Sequence, residues 1–199
     1  MLGVLTAPDE NSKEQASILR TKAEQWSKSL KAKSLYQHEA LLSHHHALTP
    51  DIQFPLDASM LNEQQCEHIQ SAALPTILQK CGIVSNISRD IVHGPSRYGG
   101  LAFPNYYTDA GCQKIKLLLG HIRKGDKTSE VLKVALGCKQ QEIGISQFFL
   151  ATSYSTYKAI CTKSWLQILW EFLDRVGGSI NYPAAWIPPK PHYNDINLS

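Results

Sequence analysis

The sequence predicts a mainly α protein, an irregular multi-helix bundle with an orphan strand at its N-terminus. Three observations lead there. Apolar residues recur at three- and four-residue spacing through most of the chain, capping residues stand where those stripes begin, and glycines stand where they end. With 199 residues, 43% of them hydrophobic, the chain can bury one sizeable core, or one core and a small satellite.

The elements follow in order. Leu2-Gly-Val-Leu-Thr-Ala7 reads as a strand remnant with no partner strand nearby, ended by Pro8-Asp9. A helix then starts near Ser12, where Ser12 and Gln15 fit a capping box, and Leu19, Ala23, Trp26 and Leu30 form one apolar seam. Its other faces carry Lys13, Arg20, Lys22, Lys28, Lys31 and Lys33. A second helix is expected over 35–48, stopping before Pro50, with 51–56 extended because Pro55 suits an edge or a connector. Asn62 caps a helix that runs to about Lys80, is kinked or split by Pro75 and stops at Gly82. A compact Gly/Pro/aromatic block spans His93 to Tyr107, with room for a small β-hairpin across 91–103. Helices are then expected over 109–124, with Ile115, Leu118, Leu119 and Ile122 inward and Gly125 as the stop, and over 128–136. A long one covers 155–176, with Ile160, Leu169, Phe172, Leu173 and Val176 inward and Gly177-Gly178 as its end. Trp26, Leu119, Trp165 and Phe172 are expected to be largely buried. The tail from Tyr182, with Pro183, Pro188, Pro189 and Pro191, reads as irregular, either an ordinary terminus or a polyproline ligand.

Several function classes find no support. No apolar run approaches the roughly 18 residues of a membrane span, and the start of the chain lacks a basic leader, so an intracellular chain, cytoplasmic or nuclear, is expected. The five cysteines, Cys66, Cys81, Cys112, Cys138 and Cys161, are widely separated and include no C-x-x-C, which argues against a disulfide framework or a zinc ribbon. His44-His45-His46 on a helix point in different directions, and so do Cys66 and His68. No metal or cofactor is expected. There is no nucleophile elbow and no phosphate-cradling glycine loop followed by Lys-Ser/Thr.

The formal charge of +3 is mild, but its distribution is uneven. Lys114, Lys116, Arg123, Lys124, Lys127, Lys133 and Lys139 lie close together, opposed between Cys112 and Lys139 only by Asp126 and Glu130. Such a patch can follow a phosphate backbone without reading sequence, and Tyr98, Tyr106 and Tyr107 can stack on bases. The same lysines also suit the solvated faces of ordinary amphipathic helices.

The block Val92-His-Gly-Pro-Ser-Arg-Tyr98-Gly-Gly-Leu-Ala-Phe-Pro-Asn-Tyr-Tyr-Thr-Asp-Ala-Gly111, followed by a basic helix, resembles the region after the polymerase core in LINE-like, non-LTR retrotransposon reverse-transcriptase open reading frames. The Leu-Gly-Val strand before a helix resembles the palm exit of such enzymes. Trp165-Leu-Gln-Ile-Leu-Trp170-Glu-Phe172-Leu173 resembles a helix that follows the Gly-Gly block in the same order. The resemblance implies a palm-exit strand and thumb-like helices over 1–48, a helical connection domain over 49–181 and the Pro-rich tail over 182–199. It implies a contribution to template–primer grip, with Lys114, Lys116, Arg123, Lys124 and Lys127 as the contacts, inside a parent RNA-directed DNA polymerase whose palm and fingers are missing here. The chain departs from the family's catalytic pattern: it has no Tyr-x-Asp-Asp and no Asp-Asp pair, and Asp57, Asp90, Asp109, Asp126 and Asp174 are scattered. Two-metal nucleotidyl transfer needs clustered carboxylates, so no catalysis is expected of this chain alone. A helical protein-interaction or structural module with an incidental basic face is the competing expectation.

Overall fold

The structure is a computed structural model that describes residues 12–182. Every regular element among those residues is helical: α1 (Lys13–Ala32), α2 (Gln37–Ser43), α3 (Thr49–Ala58), α4 (Glu63–Gln70), α5 (Leu74–Lys80), α6 (Arg89–His93), α7 (Tyr106–Lys124), α8 (Lys127–Ile143), α9 (Tyr154–Tyr157) and α10 (Trp165–Arg175). The mainly α class follows directly. The N-terminal strand expected over 2–7 and the Pro-rich stretch from Pro183 lie outside the described residues.

The seam of α1 forms as its spacing dictates. Leu19, Ala23 and Leu30 are buried and Trp26 is half-buried, its Nε1 donating to Ser43 Oγ. Ser12 does precede the helix, but its hydroxyl makes no cap and donates instead to the Met60 carbonyl at 3.0 Å. Asn62 caps α4 as expected, and a turn over 71–73 separates α4 from α5, with Pro75 in the first turn of α5.

Neither Pro50 nor Pro55 ends a helix. α2 passes through a π-helical turn, His44–Leu48, straight into α3, and both prolines are helical. In that turn Thr49 donates both its N–H and its hydroxyl to the His44 carbonyl, the wider spacing that lets a helix absorb a proline without an N–H. Ile52, Pro55 and Leu56 then share one buried face, which holds the segment helical. The boundary drawn between 48 and 49 falls inside this continuous helical run.

The hairpin expected over 91–103 is replaced by α6 and a fold-back. Leu101, Ala102 and Phe103 donate to the carbonyls of Ile91, Gly94 and Val92, acceptors that the end of α6 leaves open. α8 outruns its expected end at 136 because its polar last turns are structural. Gln140 donates to the carbonyls of Ile145 and Gln147 and accepts from Phe149 N, so the turn after the helix is tied to it. The long helix expected over 155–176 is broken. Glu142 accepts from Thr162 N, Lys139 donates to Thr162 O, and Ser164 caps α10, which holds 158–164 out of helix.

Three apolar clusters make the interior. The first joins α1, α3, α4 and α7 around Leu19, Ile52, Leu56, Ile69 and Tyr106, with Phe172 from α10. The second joins α7, α8 and α10 around Leu118, Phe149, Leu169 and Trp170, and the third packs Leu30 and α5 against Val92 and Phe103. Phe172 is buried as expected, but Trp26, Leu119 and Trp165 are only half-buried and Ile160 and Val176 are exposed. Among the described residues Trp170 is the fully buried tryptophan, its Nε1 donating to Thr152 O. The α7–α10 contact depends on Gly111, where a Cβ would stand 2.5 Å from the Phe172 ring.

Candidate nucleic-acid interface

The basic helix of the sequence is α7, begun by the Asn105 side chain accepting from Thr108 N and ended at Gly125, whose φ of 65° lies in the left-handed region. Its buried stripe is Tyr106, Tyr107, Ala110, Gly111, Lys114 and Leu118. Lys114 is thus no surface cation. It is 3% exposed, and its Nζ donates to the Leu56 carbonyl at 2.7 Å, an acceptor it shares with the N–H and hydroxyl of Ser59. Burial lowers its ammonium to about 8, against the opposing pull of Asp57. Burial in turn raises Asp57, with Lys114 opposing the rise.

Lys139 is the second cation removed from the patch. It is buried against Glu142 Oε2 at 2.8 Å and Thr162 O at 2.9 Å. Lys116, Arg123, Lys124, Lys127 and Lys133 remain exposed. Spacings of seven and eight residues align Lys116 with Arg123 and Lys124 along the outer face of α7, and Lys127 opens α8 just past the Gly125 turn. Arg123, Lys124 and Lys127 therefore lie at the α7–α8 corner, with Lys116 two turns back along α7, on the side of Asp57 and Asp109.

Of the two acids in this stretch, Glu130 stands exposed in the first turn of α8 and Asp126 is already committed. Asp126 caps α8 by accepting from Ser129 N, and accepts His121 Nδ1 at 2.9 Å. Those hydrogen bonds, His121's first, hold its carboxyl below the usual range. Lys124 Nζ stands 3.8 Å from Asp126, but the lysine side chain is 75% exposed, so the contact is loose and solvent-screened.

The three tyrosines also separate. Tyr106 is 1% exposed and Tyr107 9%, the latter edge-on to Phe172 with Arg175 over its ring, so neither offers a face to a base. Tyr98 is 76% exposed, with the Arg97 guanidinium 4.6 Å from its ring centroid. Arg97 was missing from the residues picked out by sequence, although its place directly before Tyr98 was a usable signal.

The histidine run does not converge on an ion. His44 is buried edge-on against Trp26 and Phe103, its Nδ1 has no hydrogen-bond partner, and burial lowers its ring to about 4. His45 and His46 are exposed, and among the described residues no group of three or more His, Cys, Asp or Glu is placed to hold a metal. Burial also pushes the Cys66 thiol up to about 12, a packing cysteine and not a reactive one. Among the described residues no helix is long and apolar enough to cross a membrane. In comparisons with known proteins, no family model, no curated protein and no solved structure matches the chain.

Proposed function

We propose that this chain is a helical accessory segment of a retroelement reverse transcriptase, C-terminal to the polymerase active site, that contributes sequence-independent grip on a template–primer duplex and is catalytically inactive alone. The observation that carries the reading is the α7–α8 corner, where Arg123, Lys124 and Lys127 are exposed, with Lys116 exposed two turns back on α7, while the neighbouring Asp126 is occupied by capping and by His121. The motifs around Tyr98-Gly99-Gly100 and Trp165 to Leu173 supply the family, and the absent Asp-Asp pair supplies the lack of chemistry. The palm and fingers of such an enzyme would deliver the substrate to this corner.

Binding to a blunt RNA–DNA hybrid, followed by anisotropy over a salt series, tests the reading. Weak, sequence-independent affinity with a steep salt slope is expected, because neutralised phosphates release counterions. Replacing Arg123 and Lys124 together by alanine is expected to weaken binding on every sequence and to flatten the slope by up to about two units. Equal binding by both proteins, or none by wild type at low salt, sinks it. So does primer extension by purified chain that is abolished by substituting one of its own aspartates. The second reading, a helical interaction module, draws on Val131 and Val134, 68% and 67% exposed three residues apart on α8 beside the same cations.

A further inference from the structure

The loop that follows α6 is built as a rigid support. Pro95 begins a 3₁₀ turn, Ser96–Tyr98, and Gly99, with a φ of 83°, reverses the chain so that Gly100 N returns to Pro95 O at 3.1 Å. Gly94 and Gly100 then lie backbone to backbone, since a Cβ on Gly100 would stand 2.1 Å from the Gly94 carbonyl oxygen. Ala102 is held at a φ of 52°, a conformation that costs a non-glycine residue energy, and its N–H is tied to Gly94 O at 2.9 Å. Beneath the loop, Val92 and Phe103 are buried in the third cluster and His93 Nδ1 bonds to Phe103 O.

What this support presents is Arg97 and Tyr98. The guanidinium covers one face of the Tyr98 ring, and among the described residues no other aromatic ring or cation is recorded against that ring. Pro95, Ser96, Arg97 and Gly99 are also exposed at the tip, and Ile91 is exposed on α6 below it. The tip itself offers a protein partner little apolar area beyond the Tyr98 ring and Pro95. A planar base needs only that ring's open face, and its phosphate needs the adjoining cation.

We infer that the 94–100 loop is a stacking platform for an unpaired nucleobase, with Tyr98 supplying the free ring face and Arg97 the contact to the flanking phosphate. The inference rests on the nucleic-acid reading above and adds a single-stranded element to the duplex grip. Because the loop is preorganised, little freedom is lost when the base docks.

The full chain is titrated against a blunt RNA–DNA hybrid and against the same hybrid with an unpaired overhang carrying 2-aminopurine. Wild type and Tyr98→Phe are expected to bind the overhang hybrid about tenfold more tightly and to quench the 2-aminopurine, since stacking needs the ring and not its hydroxyl. Tyr98→Ala is expected to lose both effects while keeping its affinity for the blunt hybrid, which also shows that the variant is folded. An overhang preference unchanged in Tyr98→Ala, or absent in wild type that still binds the blunt hybrid, overturns the inference and leaves the duplex reading standing; the tip then belongs to a protein partner. Failure to bind either hybrid overturns both.

Discussion

The two halves of α7 carry similar lysines and put them to opposite uses. In the N-terminal half, Lys114 lies in a stripe with Tyr107, Ala110, Gly111 and Leu118, and its ammonium is spent on the Leu56 carbonyl. In the C-terminal half, Arg123 and Lys124 stand in solvent with their stems off the core. Charge alone does not assign a lysine to a partner. The neighbouring helix does: α3 runs beside the first half and brings the Leu56 carbonyl within reach of Lys114, whereas Arg123 and Lys124 past Leu118 face outward. The difference predicts that the first half governs stability and the second governs binding.

The largest effect is expected where α10 meets the buried half. Phe172 lies against Gly111 and edge-on to Tyr107 at 5.6 Å. Truncating it to alanine removes a fully packed ring from the contact between two clusters, and the rigid α7 backbone cannot collapse into the space. Phe172→Ala is expected to cost about 3–5 kcal/mol, read as a lower urea midpoint with little change in slope. A loss below about 1 kcal/mol would mean that α10 is only loosely seated on α7 and that the comparison misplaces the core.

The next effect isolates Lys114 by pH. An unfolded lysine titrates near 10.5, while this one is lowered to about 8 by burial. Between those values the unfolded chain holds a proton that the folded chain has released, so stability rises with pH across the window. It rises by up to about 3 kcal/mol if the whole shift is expressed. Below about 8 both states are protonated and the buried charge exerts its full cost. Lys114→Met keeps an apolar stem and removes the titration, so wild type minus variant should climb from pH 8 to 10.5 and be flat below. A difference that is flat throughout would place Lys114 in solvent with its neighbours on the corner.

Much of the fold was legible because local chemistry and burial agree. The α1 seam, the Asn62 cap and the Gly125 stop each follow from residues within one or two turns of themselves. The failures lie where a distant partner decides. Pro50 reads as a helix stop and Pro55 as the mark of an extended edge or connector, because the π-helical turn that carries the helix onward leaves no mark in residue spacing. The end of α8 looked like a loop because Lys139, Gln140 and Glu142 are polar, yet all three bond to backbone or side chains between Ile145 and Thr162. Within the candidate site, Lys116, Arg123, Lys124 and Lys127 stand in solvent as their helix positions imply. Lys114 was misread, although a signal existed: it sits four residues from both Ala110 and Leu118, on the stripe and not beside it.

The smallest stability effect, and the sharpest form of the comparison, belongs to the corner itself. Arg123 and Lys124 are exposed, and among the described residues the one ion pair between them and the fold, Lys124 to Asp126 at 3.8 Å, involves a side chain 75% in solvent. Asp126 keeps its two better partners, His121 and the Ser129 N–H, when Lys124 is gone. Both cations lie in the last turn of α7, where positive charge interacts favourably with the helix dipole by a few tenths of a kcal/mol. The double alanine variant is therefore expected to lose only about 0.5–1 kcal/mol, a shift of a few degrees in Tm. Yet it removes two of the three cations at the corner, Arg123, Lys124 and Lys127. Stability nearly kept with hybrid affinity lost is the signature of an interface, and Lys114→Met should give the converse, with stability altered and the salt slope kept. If the double variant unfolds like Phe172→Ala, the corner is structural and the distinction between the two halves of α7 fails.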